Sequence, residues 1–186
     1  MLVHLRRSIV VAVFFLVVCG LAYPLAGTGL AQLAFHHQAN GSLTADGSTL
    51  IGQQWSGPQW FQGRPSATVS PSGKPNPYDA MASGASNLGP RSKVLEQHVA
   101  ARAAALRKEG ITPTNELVTS SGSGLDPDIS PRSAYAQVDA VARARHLPRS
   151  VVAHLVATQV HQPELGFLGE PVVNVLELNL ALSKLS

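Results

Sequence analysis

The sequence predicts an α+β protein: one N-terminal transmembrane helix followed by a single small, mixed, helix-rich domain. Three observations carry this reading. No residue from Ser8 to Phe35 is charged. Four later segments combine capping residues with the apolar spacing of helices. Between them, stretches rich in Gly, Pro, Ser and Asn and one short strand pattern supply turns and sheet. The expected boundaries are a cytoplasmic N-terminus at 1–8, an anchor at 9–34 and an extracytoplasmic domain at 35–186.

The anchor is densest from Ile9 to Ala22 and continues through Tyr23, Leu25, Leu30 and Leu33. About 20 apolar residues cross a bilayer core. The competing reading is a cleaved secretory signal, whose apolar core runs only about 7–15 residues. Ala26-Gly27-Thr28-Gly29 and Ala31 resemble a cleavage site, but the run is longer. Arg6 and Arg7 precede it, and the next Lys or Arg is Arg64. Basic residues stay inside, which places the N-terminus in the cytoplasm and the domain outside. Pro24 is expected to be tolerated if a neighbouring helix satisfies the freed carbonyl, and Gly20, Gly27 and Gly29 offer such a neighbour a flat surface.

Of the 186 residues, 13% are charged, against about 25% in soluble globular chains. An anchor alone does not explain that deficit, so the domain itself is weakly charged, and its surface either relies on Ser, Thr, Asn, Gln and Gly or is partly covered by other proteins. The net charge is +3; the basic residues are scattered without aromatic interleaving, which argues against nucleic-acid binding. Cys19 is the single cysteine. It excludes an internal disulfide, and Val17 and Val18 before it do not fit a lipidation signal, so it reads as a small apolar residue facing lipid.

Along the domain, Asp46-Gly47 reads as a turn and Thr49-Leu50-Ile51 as a strand. An aromatic, glycine-rich stretch follows from Trp55 to Ala67, then a loop from Ser70 to Pro90. A helix is expected after the cap Ser92, with Leu95, Val99, Ala103 and Leu106 on one face and Gly110 as its end. A second starts at Ser130-Pro131 with Tyr135, Val138, Val141 and Ala142 as its apolar stripe. Pro148 opens a third, with Val151, Val152, Leu155, Val156 and Val160 inward and Pro163 closing it. The last begins at Asn174, with Glu177 three residues on as in a capping box. Leu176, Leu178, Leu180 and Leu182 surround it, an alternation that also fits a strand.

The densest polar motif is Ser120-Ser121-Gly122-Ser123-Gly124-Leu125-Asp126. Glycines free backbone amides to face an anion, so Ser121, Gly122, Ser123, Gly124 and Asp126 form a possible nucleotide or anion loop. No Gly-Lys-Ser/Thr follows, and the nucleophile elbow of hydrolases is not matched. A structural loop in which Asp126 and Ser130 satisfy backbone amides is the plainer reading. His154 and His161, seven apart, would share a helix face, but no third ligand has metal spacing. Asp126 and Asp128, with Pro127 between them, could hold a cation on a rigid turn, but a solvated turn is the commoner arrangement. No set of nucleophile, base and orienting group emerges, so no catalytic residue and no metal site is assigned.

Seven blocks in order resemble one family along the whole chain: Tyr23-Pro24-Leu25, Gln38 to Leu43, Leu50 to Gln53, Phe61 to Ala67, Ala82 to Leu88, Val118 to Asp126, and Pro171 to Leu182. The chain resembles the C subunit of the Kdp-type potassium-transporting ATPase. The family usually has two glycines where this chain has Gly84-Ala85, which implies a strained or reshaped loop if the second requires a positive φ.

The resemblance implies a non-catalytic accessory subunit of a high-affinity potassium uptake pump in the bacterial inner membrane. Implied partners are a channel-like potassium-translocating subunit, a P-type ATPase subunit, a small stabilising membrane peptide and the lipid bilayer. ATP is engaged through the ATPase subunit, whose affinity this subunit raises as a catalytic chaperone; potassium is the transported ion. The outer domain would cover the channel-like subunit, with Trp60, Phe61, Arg64, Asn87 and Asn174 as interface candidates. The alternatives are direct nucleotide binding through Ser120 to Asp126, and a membrane-anchored hydrolase using Ser121 or Ser123.

Overall fold

The computed structural model describes residues 2–185. It forms two compact units that divide between Asp46 and Gly47.

The first unit is dominated by a continuous 33-residue helical stretch, Leu2–Ala34. It comprises α1 (Leu2–Val17), a π turn (Val18–Ala22) and α2 (Tyr23–Ala34), none with a buried residue. At 1.5 Å per residue this is about 50 Å, longer than a bilayer core of about 30 Å. The π turn answers Pro24 from within the helix. Pro24 has no N–H to donate, and immediately before it the Tyr23 N–H reaches back five residues to the Val18 carbonyl. The ladder widens there, one of the local adjustments found where membrane helices carry a proline. Phe35 leaves helical geometry at φ −138° and ψ 46°. A single turn, α3 (His36–Ala39), then ends where Asn40 Nδ2 donates to the His36 carbonyl at 2.6 Å. The short strand β1 (Leu43–Thr44) completes the unit.

The second unit begins with β2 (Gly47–Ser48). The strand expected at Thr49–Ile51 is instead a turn. Ser48 Oγ accepts from the Leu50 N–H at 3.1 Å, and the Thr49 carbonyl is taken by Asn174 Nδ2 at 2.9 Å. A local side-chain bond has outcompeted a strand ladder. Residues 70–90 form the expected loop, with one isolated bridge, Val69 to Pro75.

Helix α4 (Lys93–Lys108) begins where expected, with Ser92 Oγ accepting from the Leu95 N–H at 3.4 Å. Gly110 ends it at φ +77°. Helix α5 (Asn115–Val118), a single turn capped by Thr114, was too short to show periodicity. β3 (Asp128–Ile129) leads to Ser130, which caps α6 (Pro131–Tyr135) through the Ser133 N–H. The helix expected here is broken: α7 (Val138–Arg145) is separate, and Gln137 between them turns its side chain inward. The break rotates the stripe, so Ala134 is buried while Tyr135 is 43% exposed.

α7 ends at His146, in the left-handed region at φ +57°. α8 (Arg149–Thr158) buries Val152 and Val156 but leaves Val151 exposed. It stops before Val160, which enters β4 (Val160–His161). His154 and His161 therefore do not share a helix. β5 (Val172–Asn174) runs into α9 (Val175–Ser183), where Asn174 Oδ1 accepts from the Glu177 N–H at 3.2 Å. The helical alternative for the last segment holds, and Leu176, Leu178 and Leu182 are buried.

The sheet is antiparallel in the order β3-β5-β4, with Ile129 and Val160 both opposite Val173. Its apolar face joins α7, α8 and α9 in one core: Phe61, Ile129, Val138, Val141, Val152, Val156, Val173, Leu178 and Leu182. The segment that carries Phe61 is irregular, and its attachment to this core organises the site.

Candidate functional site

Two buried amides hold the stretch around Phe61. Asn179 Oδ1 accepts from the Phe61 N–H at 2.9 Å, and Asn179 Nδ2 donates to the Phe61 carbonyl at 2.9 Å. One residue on, Gln137 Oε1 accepts from the Gln62 N–H at 2.8 Å and Gln137 Nε2 donates to the Gln62 carbonyl at 3.0 Å. Both amides are fully buried. Each acts as a strand edge would, satisfying a backbone donor and acceptor together. This is how a glycine-rich segment without secondary structure crosses a core. Neither residue was singled out from the sequence: a polar residue inside an apolar helix pattern reads as an interruption of the stripe, and its partner lies far along the chain.

Beyond Gln62 the segment is locked at Arg64. Its Nη1 lies 3.2 Å from Asp126 Oδ2 and its Nη2 donates to the Ser120 carbonyl at 3.3 Å. The Tyr78 hydroxyl donates to the Arg64 carbonyl. Burial pushes the Tyr78 phenol up to about 12; Asp126 adds to the rise and Arg64 opposes it. Gly52 lets this cluster close. A Cβ there would sit 2.5 Å from the Asp126 carbonyl and 2.6 Å from the Tyr78 ring.

The Ser120–Asp126 loop is turned on itself. Ser121 Oγ accepts from the Gly124 N–H at 2.9 Å, Ser123 Oγ from Leu125 at 3.1 Å, and Asp126 Oδ1 from Asp128 at 3.2 Å. Ser66 Oγ donates to the Gly124 carbonyl at 2.7 Å, while Gly84 N and Ser83 Oγ donate to that of Ser123. Gly124 has φ +68°, and a Cβ on it would meet Thr68 and the Gly84 carbonyl at 2.6 and 2.7 Å. The amides of Gly124, Leu125 and Asp128 are thus occupied by the loop's own side chains. Among the described residues, neither Ser121 nor Ser123 bonds to a histidine, and Ser121 is buried. Ala85 has no positive φ, so the alanine at this position creates no backbone strain.

Beside the loop, Glu116 Oε2 accepts from the Ser130 N–H (2.8 Å), Ser130 Oγ (2.7 Å) and Ser133 Oγ (2.6 Å). Burial raises the Glu116 pKa, but these bonds, helped by Arg64, outweigh it and hold it below the usual glutamate value. Asp128 lies above its usual value: burial dominates, and the Asn174 bond opposes it only in part.

The interface candidates divide. Phe61 is fully buried within this chain and presents no surface to a partner. Asn174 is buried as a cap and bonds Thr49 and Asp128. Arg64 is half-buried in its lock. Asn87 is exposed, with φ +52°. Trp60 is partly exposed, its ring 4.9 Å from that of Trp55 and covered by the Arg145 guanidinium at 4.2 Å. Arg145 also donates through Nε to the Gln59 carbonyl at 2.9 Å. Behind Trp55 lies an open pocket of about 330 Å³, walled by Gln62, Arg64, Tyr78 and Arg102 among others.

The family model described as "KdpC: K+-transporting ATPase, c chain" matches residues 5–184. The chain is similar to the potassium-transporting ATPase KdpC subunit of Methylobacterium nodulans, 50% identical over 199 residues that cover 100% of this chain and 99% of the relative. The KdpC subunit of Caulobacter vibrioides is 51% identical over 190 residues, covering 98% and 93%. That of Photorhabdus laumondii is 44% identical over 193 residues, covering 99% and 97%.

Proposed function

The chain belongs to the KdpC family, the c chain of the potassium-transporting ATPase, and from that premise we propose that it acts as an assembly clamp and as an indirect modulator of ATP affinity. It is a subunit of that pump, and the catalysis lies in another chain. On this reading the anchor sits in the inner membrane with Arg6 and Arg7 in the cytoplasm and residues 35–186 outside. It associates there with a channel-like potassium-translocating subunit, a P-type ATPase subunit and a small membrane peptide.

The observation that supports this reading best is the contrast in exposure. Every residue from Leu2 to Leu30 is exposed, Phe14, Phe15 and Leu16 among them, so the anchor requires a covering of lipid or partner helices. The loop that resembled a nucleotide site instead spends its hydroxyls on its own backbone. An outside domain does not meet cytoplasmic ATP. An effect on ATP affinity then has to pass through the assembly, as tighter binding of one conformational state of the ATPase subunit. The Trp60–Arg145 surface is the contact proposed for the channel-like subunit, since tryptophan and arginine dominate interface energies.

Orientation is the point on which this reading turns. Place a reporter cysteine at the exposed Ser72 in a Cys19→Ala background and treat intact cells with a thiol reagent that does not cross the inner membrane. Labelling is expected. Labelling only after permeabilisation reverses the orientation and removes both the outside clamp and the indirect coupling.

A further inference from the structure

Between β4 and β5 the chain forms a small projecting hairpin with an unusual tip. Leu165, Phe167 and Leu168 are 80%, 73% and 52% exposed. Soluble surfaces carry single exposed apolar residues freely, but three within four positions form a patch. The tip is also held in shape. The Glu164 N–H donates to the Leu168 carbonyl at 3.1 Å and the Leu168 N–H returns to Glu164 at 2.9 Å. Gly166 N–H donates to the Pro163 carbonyl at 2.9 Å. Leu165 itself sits at φ +54°, a region that bulky residues avoid. A leucine held in the left-handed region with its side chain in solvent is backbone strain combined with an unburied apolar group. Such combinations persist where a segment is preorganised for binding.

Charge identifies the class of occupant. Glu164 and Glu170 bracket the tip, and Glu177 pairs with His161 at its base. From Ser150 to Ser183 there is no Lys or Arg. An anionic bilayer surface attracts basic residues next to an apolar insertion and repels a segment of this charge. A protein socket with an apolar floor and a Lys- or Arg-bearing rim complements both features.

We propose that the Leu165–Leu168 tip is a docking peg that inserts into an apolar, basic-rimmed socket on another chain of the pump. The proposal rests on the chain's place in a multisubunit assembly. One loop is smaller than a standard interface, so the peg is one anchor within a larger contact.

The test uses the complete pump purified with its other chains. With Phe167 replaced by the photoreactive p-benzoyl-phenylalanine, illumination is expected to give an adduct with the mass of this chain plus another pump chain. An adduct with lipid, with a second copy of this chain, or none at all overturns the proposal. In parallel, the double variants Leu165→Ala/Phe167→Ala and Glu164→Lys/Glu170→Lys are each expected to lower at least tenfold the partner chains retained after a wash at about 0.5 M salt. Full retention by the charge-reversed variant, or its gain of binding to anionic phosphatidylglycerol vesicles without loss of retention, also overturns it. If the unmodified chain retains no partners, the assembly reading itself fails; if it retains them and Phe167 gives no protein adduct, the peg alone fails.

Discussion

The anchor and the domain core solve opposite problems. From Leu2 to Leu30 the chain exposes apolar side chains and encloses its backbone polar groups in one helical ladder. From Phe61 to Leu182 it buries apolar side chains, and it also buries Gln137 and Asn179 to serve backbone that belongs to no ladder. In the first region almost any apolar residue suffices at a given position. In the second, one residue type with one geometry is required. Substitution should therefore be tolerated by class in the anchor and refused by identity in the core.

The largest test of that contrast is Phe61→Ala. Phe61 is fully buried in the main core, and removing such a ring costs about 3–5 kcal/mol. The expected outcome is a much lower urea midpoint of the full chain in detergent, whereas Phe14→Ala in the anchor should leave that midpoint unchanged. Equal losses at the two sites would dissolve the distinction. Next comes charge in the anchor. Leu16→Lys should disfavour membrane insertion by about 2.5–3.5 kcal/mol, read as a fall in membrane-integrated chain on alkaline extraction, while Leu16→Phe should not.

Asn179→Leu sharpens the comparison from the polar side. The substitution is more apolar and similar in volume, yet it strands the Phe61 N–H and carbonyl in the core. A loss of about 1–3 kcal/mol is expected. A gain in stability would show that apolar burial outweighs the amide pairing.

The smallest effect concerns pH. The Tyr78 phenol is raised from 10.0 to about 12, so the unfolded chain loses this proton first. The stability that Tyr78 contributes is fully present below pH 10 and is lost as pH rises towards 12. Tyr78→Phe should flatten that alkaline decline in a pH series of unfolding midpoints.

What the sequence displayed follows the same division. Features that act within one turn were legible: the uncharged span, Ser92 and Ser130 as caps, Asn174 with Glu177, Gly110 as a stop. Features that depend on residues far apart were not. β3, β4 and β5 are two or three residues long and exist only through pairing, β3 with β5 from Asp128 to Asn174 and β4 with β5 from Val160 to Val173. Gln137 broke a helix for the sake of Gln62, 75 residues earlier. The Ser120–Asp126 motif was visible as a dense polar loop, but only the structure shows the Ser121 and Ser123 hydroxyls bonded to the loop's own backbone. Trp60 was readable as an aromatic in a glycine-rich stretch; its cover by Arg145, 85 positions away, was not.

The widened turn at Val18–Ala22 has a consequence for phase. A turn closed by an i to i−5 bond contains one residue more than its α-helical counterpart, and each residue of an α-helix advances about 100° around the axis. Side chains after Tyr23 are therefore rotated by about that angle from where a regular helix starting at Leu2 would place them. A stripe that begins at Val13 and Leu16 does not continue through the positions a helical wheel assigns to it. A single straight helix packed along the first half would lose register in the second.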